Sequence, residues 1–183
     1  MRITILNGDP DSSSTFYEYV HNVGARFATL GHQVEMLDLR ELNLKGCSGC
    51  WGCWVKTPGE CAKHDDSAQV CRAAIHADLL VFASPIIMGF TSALLKRATD
   101  QLICLVHPYV TIEHGEMHHR PRYAHYPAFG LLLDAGADAE AEDLEITTAI
   151  WTRTARNLKS HIAFTEVADR SAEEVADEFA TVA

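Results

Sequence analysis

At 183 residues the chain is long enough for one ordinary domain to bury its own core without disulfides or a structural metal. A formal net charge of −10 at pH 7 argues against binding nucleic acid or an acidic membrane. The opening MRITILNGDP alternates apolar and polar residues, unlike a signal peptide, and no apolar run is long enough to span a membrane, so the chain reads as one soluble cytoplasmic domain over 1–183.

Strand and helix patterns alternate from end to end. RITILN (2–7) reads as a strand. Phe16, Tyr19, Val20, Val23, Phe27 and Leu30 then recur at three- and four-residue steps, the stripe of a helix packed on one side, and Gly31 is placed to end it in a left-handed turn. QVEMLDL (33–39) alternates as a second strand, and Asp66 or Ser67 caps a short helix running to Ala77. LLVFAS (79–84) is continuously apolar, as a parallel strand covered on both faces must be, and is expected at the centre of the sheet.

A helix from about Thr91 to Leu105 follows, with Leu94, Ala98, Leu102 and Leu105 inward. Val106 to Tyr126 reads as irregular, rich in His, Pro and Arg, and too long for a mere connection. Its histidines, His107, His114, His118, His119 and His125, lack a persuasive helical metal spacing and suit a solvated or subunit-contacting loop. PAFGLLLD (127–134) is a fourth strand; Leu144, Thr148, Trp151, Ala155 and Leu158 form a helical stripe; HIAFTEV (161–167) is a fifth strand; Val175, Phe179 and Val182 mark the last helix. Five strands alternating with helices predict an α/β fold: a flavodoxin-like three-layer sandwich, its five-stranded parallel sheet in the order 2-1-3-4-5 with helices on both faces. Ligands of such sheets sit beyond the carboxyl ends of the strands, here the loops after strands one, three and four.

The first of these loops, NGDPDSSST (7–15), lacks both the dinucleotide and the triphosphate glycine patterns. Ser12, Ser13, Ser14 and Thr15 lie just ahead of a helix N-terminus, where free amides and the helix dipole can hold a phosphate such as that of FMN. The other reading is a capping box at Thr15-x-x-Glu18. Asp9 and Asp11 would repel a phosphate and must point away if one binds. After strand three, Ser84-Pro85 reads as a turn exposing backbone groups, and Ile86, Ile87, Met88 and Gly89 suit the face of a flavin or, equally, a piece of core.

CSGCWGCWVKTPGEC (47–61) holds four of the six cysteines in the pattern C-x2-C-x2-C-x7-C. Three sulfurs at three-residue intervals and a fourth after a loop suit a [4Fe–4S] cluster, free or reversibly oxidised thiols are the alternative, and zinc fits less well. Cys71 and Cys104 fall on helices and read as buried packing residues.

Together, NGDPDSSST, CSGCWGCWVKTPGECAKHDD and SPIIMGFTSALLKRATDQ resemble the NADPH-dependent FMN reductase branch of the flavodoxin-like superfamily, specifically members with a cysteine-rich loop, including iron-sulfur flavoproteins. The resemblance covers roughly the first hundred residues. It implies that Ser12, Ser14 and Thr15 grip the FMN phosphate and that Ser84, Pro85, Ile86, Ile87, Met88 and Gly89 line the flavin, with Ile87 where a tyrosine is usual. It further implies Cys47, Cys50, Cys53 and Cys61 as iron-sulfur ligands. Asp9 and Asp11, and the acidic DAGADAEAED (134–143), depart from the family pattern. The expected activity is an FMN-binding, NAD(P)H-dependent oxidoreductase passing hydride or electrons through the flavin to a quinone or other small acceptor, in a homodimer or homotetramer. Because the flavin carries the reactive atom, no catalytic side chain is expected. The alternatives are an electron carrier with a [4Fe–4S] cluster, and a redox or metal sensor that has lost its flavin.

Overall fold

The computed structural model describes residues 1–113, 115–136 and 139–180. Its elements in chain order are β1 (Arg2–Asn7), α1 (Thr15–Thr29), β2 (Gln33–Asp38), α2 (Gly52–Val55), α3 (Ser67–His76), β3 (Leu79–Ile87), β4 (Phe90–Thr91) and α4 (Ala93–Gln101). A 3-10 turn (Leu102–Leu105) leads on to β5 (Val106–Glu113), β6 (Glu116–Pro121), β7 (Ala128–Asp134), α5 (Ala141–Asn157), β8 (Ile162–Val167) and α6 (Ala172–Phe179). Five parallel strands run in the order β2-β1-β3-β7-β8, with the short β4 folded back antiparallel on β3. The flavodoxin-like order expected from strand count is therefore the one observed. No described helix is long and apolar enough to cross a membrane.

Side chains of the central strands alternate between two cores. Leu6, Leu80, Phe82, Leu131 and Leu133 meet α3, α4 and α5, whereas Ile3, Ile5, Val81, Ala83 and Leu132 meet α1 and α6. This two-sided burial is why LLVFAS carries no polar residue until Ser84. Gly31 adopts φ +89°, ending the turn after α1 as expected.

Four expectations are corrected. Val106 to Tyr126 is mostly an antiparallel ribbon, with Glu113 paired to Glu116 across a turn holding Gly115 at φ +78°. Its outer side is solvated, so no long apolar pattern announced it. The α4 segment is shorter than the predicted helix and buries Leu95 rather than Leu94, since Ser92 supplies the cap and moves the start. On α5 it is Thr147, not Thr148, that is fully buried. The turn read at Ser84-Pro85 lies further on, because β3 continues to Ile87 and reverses at Met88-Gly89, both with positive φ (52° and 77°). Val182 of the last helical stripe falls outside the described residues.

The loops after β1 and β3 are joined where Gly8 crosses the start of α4. Gly8 N–H donates to the Ala83 carbonyl at 2.8 Å, and Ser92 Oγ donates to the Gly8 carbonyl at 2.5 Å. A Cβ on Gly8 would lie 2.7 Å from Leu95 Cβ and 3.1 Å from the Ala83 carbonyl, neither of which can swing aside. Gly8→Ala is therefore expected to cost about 1–3 kcal/mol of stability by overpacking, seen as a lower urea midpoint at unchanged slope.

Candidate functional site

The loop after β1 is built by its acids. Asn7 Oδ1 accepts the Asp9 amide (3.1 Å), Asp9 Oδ1 accepts the Asp11 amide (2.9 Å), and Asp11 Oδ1 accepts the Ser13 amide (2.9 Å) and hydroxyl (2.7 Å). These are three successive turns in which a side chain caps the amide two residues on, and the alternation N-x-D-x-D-x-S was their signal in the sequence. Asp9 is 3% exposed beneath the loop, where its second oxygen accepts the Ser14 hydroxyl. Asp9 thus points inward. Asp11 stays exposed, and the hydrogen bonds from the Ser13 hydroxyl and amide hold its carboxyl below the usual range.

Ser14, not Thr15, caps α1, its Oγ accepting Tyr17 N–H at 2.9 Å. With its hydroxyl committed at both ends, Ser14 is not at hand for an incoming anion. Ser12 and Thr15 are exposed at the same helix end, where the first amides have no intrahelical partner by position. An anion there would meet those two hydroxyls and the positive end of a 15-residue helix.

The loop after β3 presents an apolar ledge. Ile87 is 44% exposed and Met88 fully so, while Pro85 and Ile86 are half-buried behind them. Ser84 is buried; its hydroxyl donates to the Pro85 carbonyl and accepts Ser92 N–H, both at 2.8 Å, so it fixes the hairpin and does not reach the surface. Facing the ledge, the segment after β7 turns at Gly136 (φ +65°), whose amide is held by Asp134. Ile86 to Gly89, Ala135, Gly136, Ala139 and Asp143 enclose a hollow of about 300 Å³. A Cβ on Gly89 would come within 2.9 Å of Asp143 Oδ1, so this glycine keeps the hollow's rim open. Asp143 itself is held back by accepting Glu140 N–H at 3.0 Å. An apolar shelf, small residues opposite it and a helix N-terminus at the same sheet edge fit a flat ring carrying an anionic tail.

The cysteine loop lies apart from that hollow, clamped at its base. Asp66 accepts the Asn43 amide (2.7 Å), Asp65 accepts the Lys45 amide (2.9 Å), and Gln101 of α4 donates to the Lys45 carbonyl (2.5 Å). Asp66, expected as a helix cap, makes no side-chain bond to α3 and serves with Asp65 as this clamp, while Asp65 accepts Ser67 N–H at the start of α3. Trp54 secures the far side through Nε1–H to the Val106 carbonyl (2.9 Å) and a ring contact with His119 (5.1 Å). Of the ribbon's other histidines, His118 is buried against Glu116 at 3.2 Å, and His114 lies outside the described residues.

Cys47, Cys50, Cys53 and Cys61 line one cavity of about 140 Å³, together with Cys104. Among the described residues, however, no three His, Cys, Asp or Glu side chains are placed to hold a metal ion. The four thiols also differ: Gly52 N–H and the Ser48 hydroxyl lower exposed Cys50, whereas burial pushes Cys53 up to about 11.

Residues 1–148 match the family model described as NADPH-dependent FMN reductase. The chain is similar in structure to an NAD(P)H:quinone oxidoreductase from Methanothermobacter marburgensis, with TM-score 0.61, 20% identity, and 98% of this chain and 95% of that one covered. It is also similar to an FMN-dependent NADH-azoreductase from Bacillus anthracis in complex with FMN, with TM-score 0.64, 13% identity, and coverage of 98% and 94%. No curated protein matches at a significant level.

Asp65 gives a test of the clamp. Burial raises its carboxyl, but the hydrogen bonds from the Lys45 and Ser67 amides and the Lys45 charge outweigh that and lower it below 3.8. A depressed acid stabilises the fold above its unfolded value and loses that contribution as pH falls through the folded one. Amide protection at Lys45 and Ser67, measured by hydrogen exchange, should therefore hold at neutral pH and fall only below pH 3.8, while Asp65→Ala, which removes both acceptor oxygens, should lose it at neutral pH.

Proposed function

We propose, from the premise that this chain belongs to the NADPH-dependent FMN reductase family, that it reduces a quinone or similar small aromatic acceptor with NAD(P)H. The hollow between the Ile86–Gly89 ledge and the segment after β7 carries this reading, because it supplies an apolar face at the mouth of a flavodoxin-like sheet. When bound, FMN supplies the two-electron chemistry that links a nicotinamide to the acceptor.

The chain's own residues bind and orient. Ser12, Thr15 and the first amides of α1 would hold the phosphate; Asp9, turned under the loop, leaves that position, and Ser14 shapes it from behind. Ile86, Ile87 and Met88 would cover the ring, and Pro85 and Gly89 give it their backbone and an open rim. Ser84 holds the hairpin through Ser92. This reading requires no side chain to move a proton at the reacting atom; among the described residues lining the hollow, Asp143 at its rim is the ionisable one.

For the subunit contact expected of a dimer or tetramer, the cross-strand pair Ile112 and Met117, 76% and 74% exposed, and Trp51 at 65% are available. The alternative electron carrier, with a [4Fe–4S] cluster at Cys47, Cys50, Cys53 and Cys61, has their shared cavity in its favour and their placement against it. Iron and labile sulfide in anaerobically purified protein would favour it; purely yellow protein would not.

FMN-loaded protein should oxidise NADPH or NADH on addition of a quinone, followed at the nicotinamide absorbance band; no turnover with any quinone would overturn the acceptor assignment. Thr15→Ala should weaken FMN binding by about 1.5 kcal/mol, roughly tenfold in Kd, for the loss of one hydrogen bond to a charged group. Asp11→Asn should tighten it by removing a like charge.

A further inference from the structure

We propose that Cys71 and Cys104 are a redox-active dithiol that closes to a disulfide when a hydroperoxide enters the cysteine-lined cavity. The two Sγ atoms lie 3.2 Å apart, one on α3 and the other in the 3-10 turn after α4, and their residues are 5% and 1% exposed. Bond formation therefore needs only a small side-chain shift.

Each thiol has its own approach. Cys104 forms part of the wall of the cavity of about 140 Å³ under the cysteine loop, and Cys71 part of the wall of a second hollow of about 240 Å³ beside Pro58, Cys61 and Tyr123. A hydroperoxide is small enough to enter either space. Arg122, whose Nε donates to the Cys104 carbonyl at 3.1 Å, places a cation beside Cys104, so Cys104 reacts first and Cys71 resolves it. Polarity within the pair agrees: the hydrogen bond from the Cys71 thiol lowers Cys104 against the effect of burial, with the Arg122 charge assisting, and the same bond raises Cys71.

The chemistry balances in two steps. The Cys104 thiolate attacks one oxygen of the peroxide; an S–O bond forms, the O–O bond breaks, and hydroxide leaves to take up the proton lost when the thiol ionised. Cys71 then attacks the Cys104 sulfenic sulfur; the S–S bond forms, the S–O bond breaks, and a second water departs with the Cys71 proton. In sum, two thiols and one hydrogen peroxide give one disulfide and two waters. The sulfur pair is oxidised and the peroxide oxygens are reduced. The product would tie α3 to the end of α4, directly beneath the cysteine loop. None of this depends on a bound flavin.

The test is a peptide map. The full-length protein is treated with hydrogen peroxide at equimolar ratio, remaining thiols are blocked with iodoacetamide, and the protein is digested without reductant. The Cys71–Cys104 linked peptide should accumulate in the mass spectrum and vanish after dithiothreitol. In Cys71→Ala the link should be lost completely and Cys104 should instead be trapped by dimedone as the sulfenic acid; in Cys104→Ala neither the link nor a dimedone adduct at Cys71 should form. The proposal is overturned if peroxide oxidises only Cys47, Cys50, Cys53 and Cys61 while Cys71 and Cys104 are recovered as thiols. It is equally overturned if Cys71 is the residue that dimedone traps. Should either variant fail to fold, the wild-type map decides alone.

Discussion

The mouth of this sheet depends on one close approach, that of Gly8 to the beginning of α4. With no Cβ at this position, the first loop can lie against Ser92, Leu95 and the Ala83 carbonyl, and Ser92 in turn binds Gly8 and Ser84. Three backbone segments from distant parts of the sequence are thereby fixed at one edge. The same serine caps α4, so the position of the apolar hairpin and the start of the helix behind it are set by a single side chain. A ligand shelf at the β1/β3 edge follows from this geometry before any ligand is considered.

The acids of the first loop look at first like an obstacle to an anionic cofactor, and their arrangement reduces the conflict. Asp9 is spent on holding Asp11 and Ser14 in place, so its charge is directed into the loop rather than out of it. The loop exchanges the hydroxyl of Ser14 for rigidity and leaves Ser12 and Thr15 at the surface. Asp11 remains ionised and exposed, which in the proposed site would make the phosphate end the weaker half and the apolar ledge the stronger. The cysteines lie at a separate place, under the clamp formed by Asp65, Asp66 and Gln101.

What was legible in the sequence divides along physical lines. The central strands could be read because burial on both faces forces continuous apolar runs, the edge strand β2 because its residues alternate, and α1 because one-sided packing leaves a clear stripe. The β5–β6 ribbon could not, since only Val106 and His118 along it are buried and its strands carry histidine, proline and charge. Ser84-Pro85 suggested a turn by composition, yet the register with β7 carries the strand through Pro85, opposite Asp134. The candidate ledge was legible as a row of apolar residues; that Ser84 supports it from inside was not, because a hydroxyl's direction is fixed by its partners and not by its neighbours in sequence. The family resemblance, carried by the first hundred residues, agrees with a match that extends to residue 148.

The account's central claim is that the N-terminus of α1 recognises the phosphate of FMN while the hairpin ledge takes the ring. Calorimetric titration of the flavin-free protein with FMN and, separately, with riboflavin tests it most directly, since the two ligands share the ring and differ in the phosphate. Tighter binding of FMN, with the difference shrinking as salt is raised, is the predicted result. Equal affinity, or a preference for riboflavin, would contradict the claim.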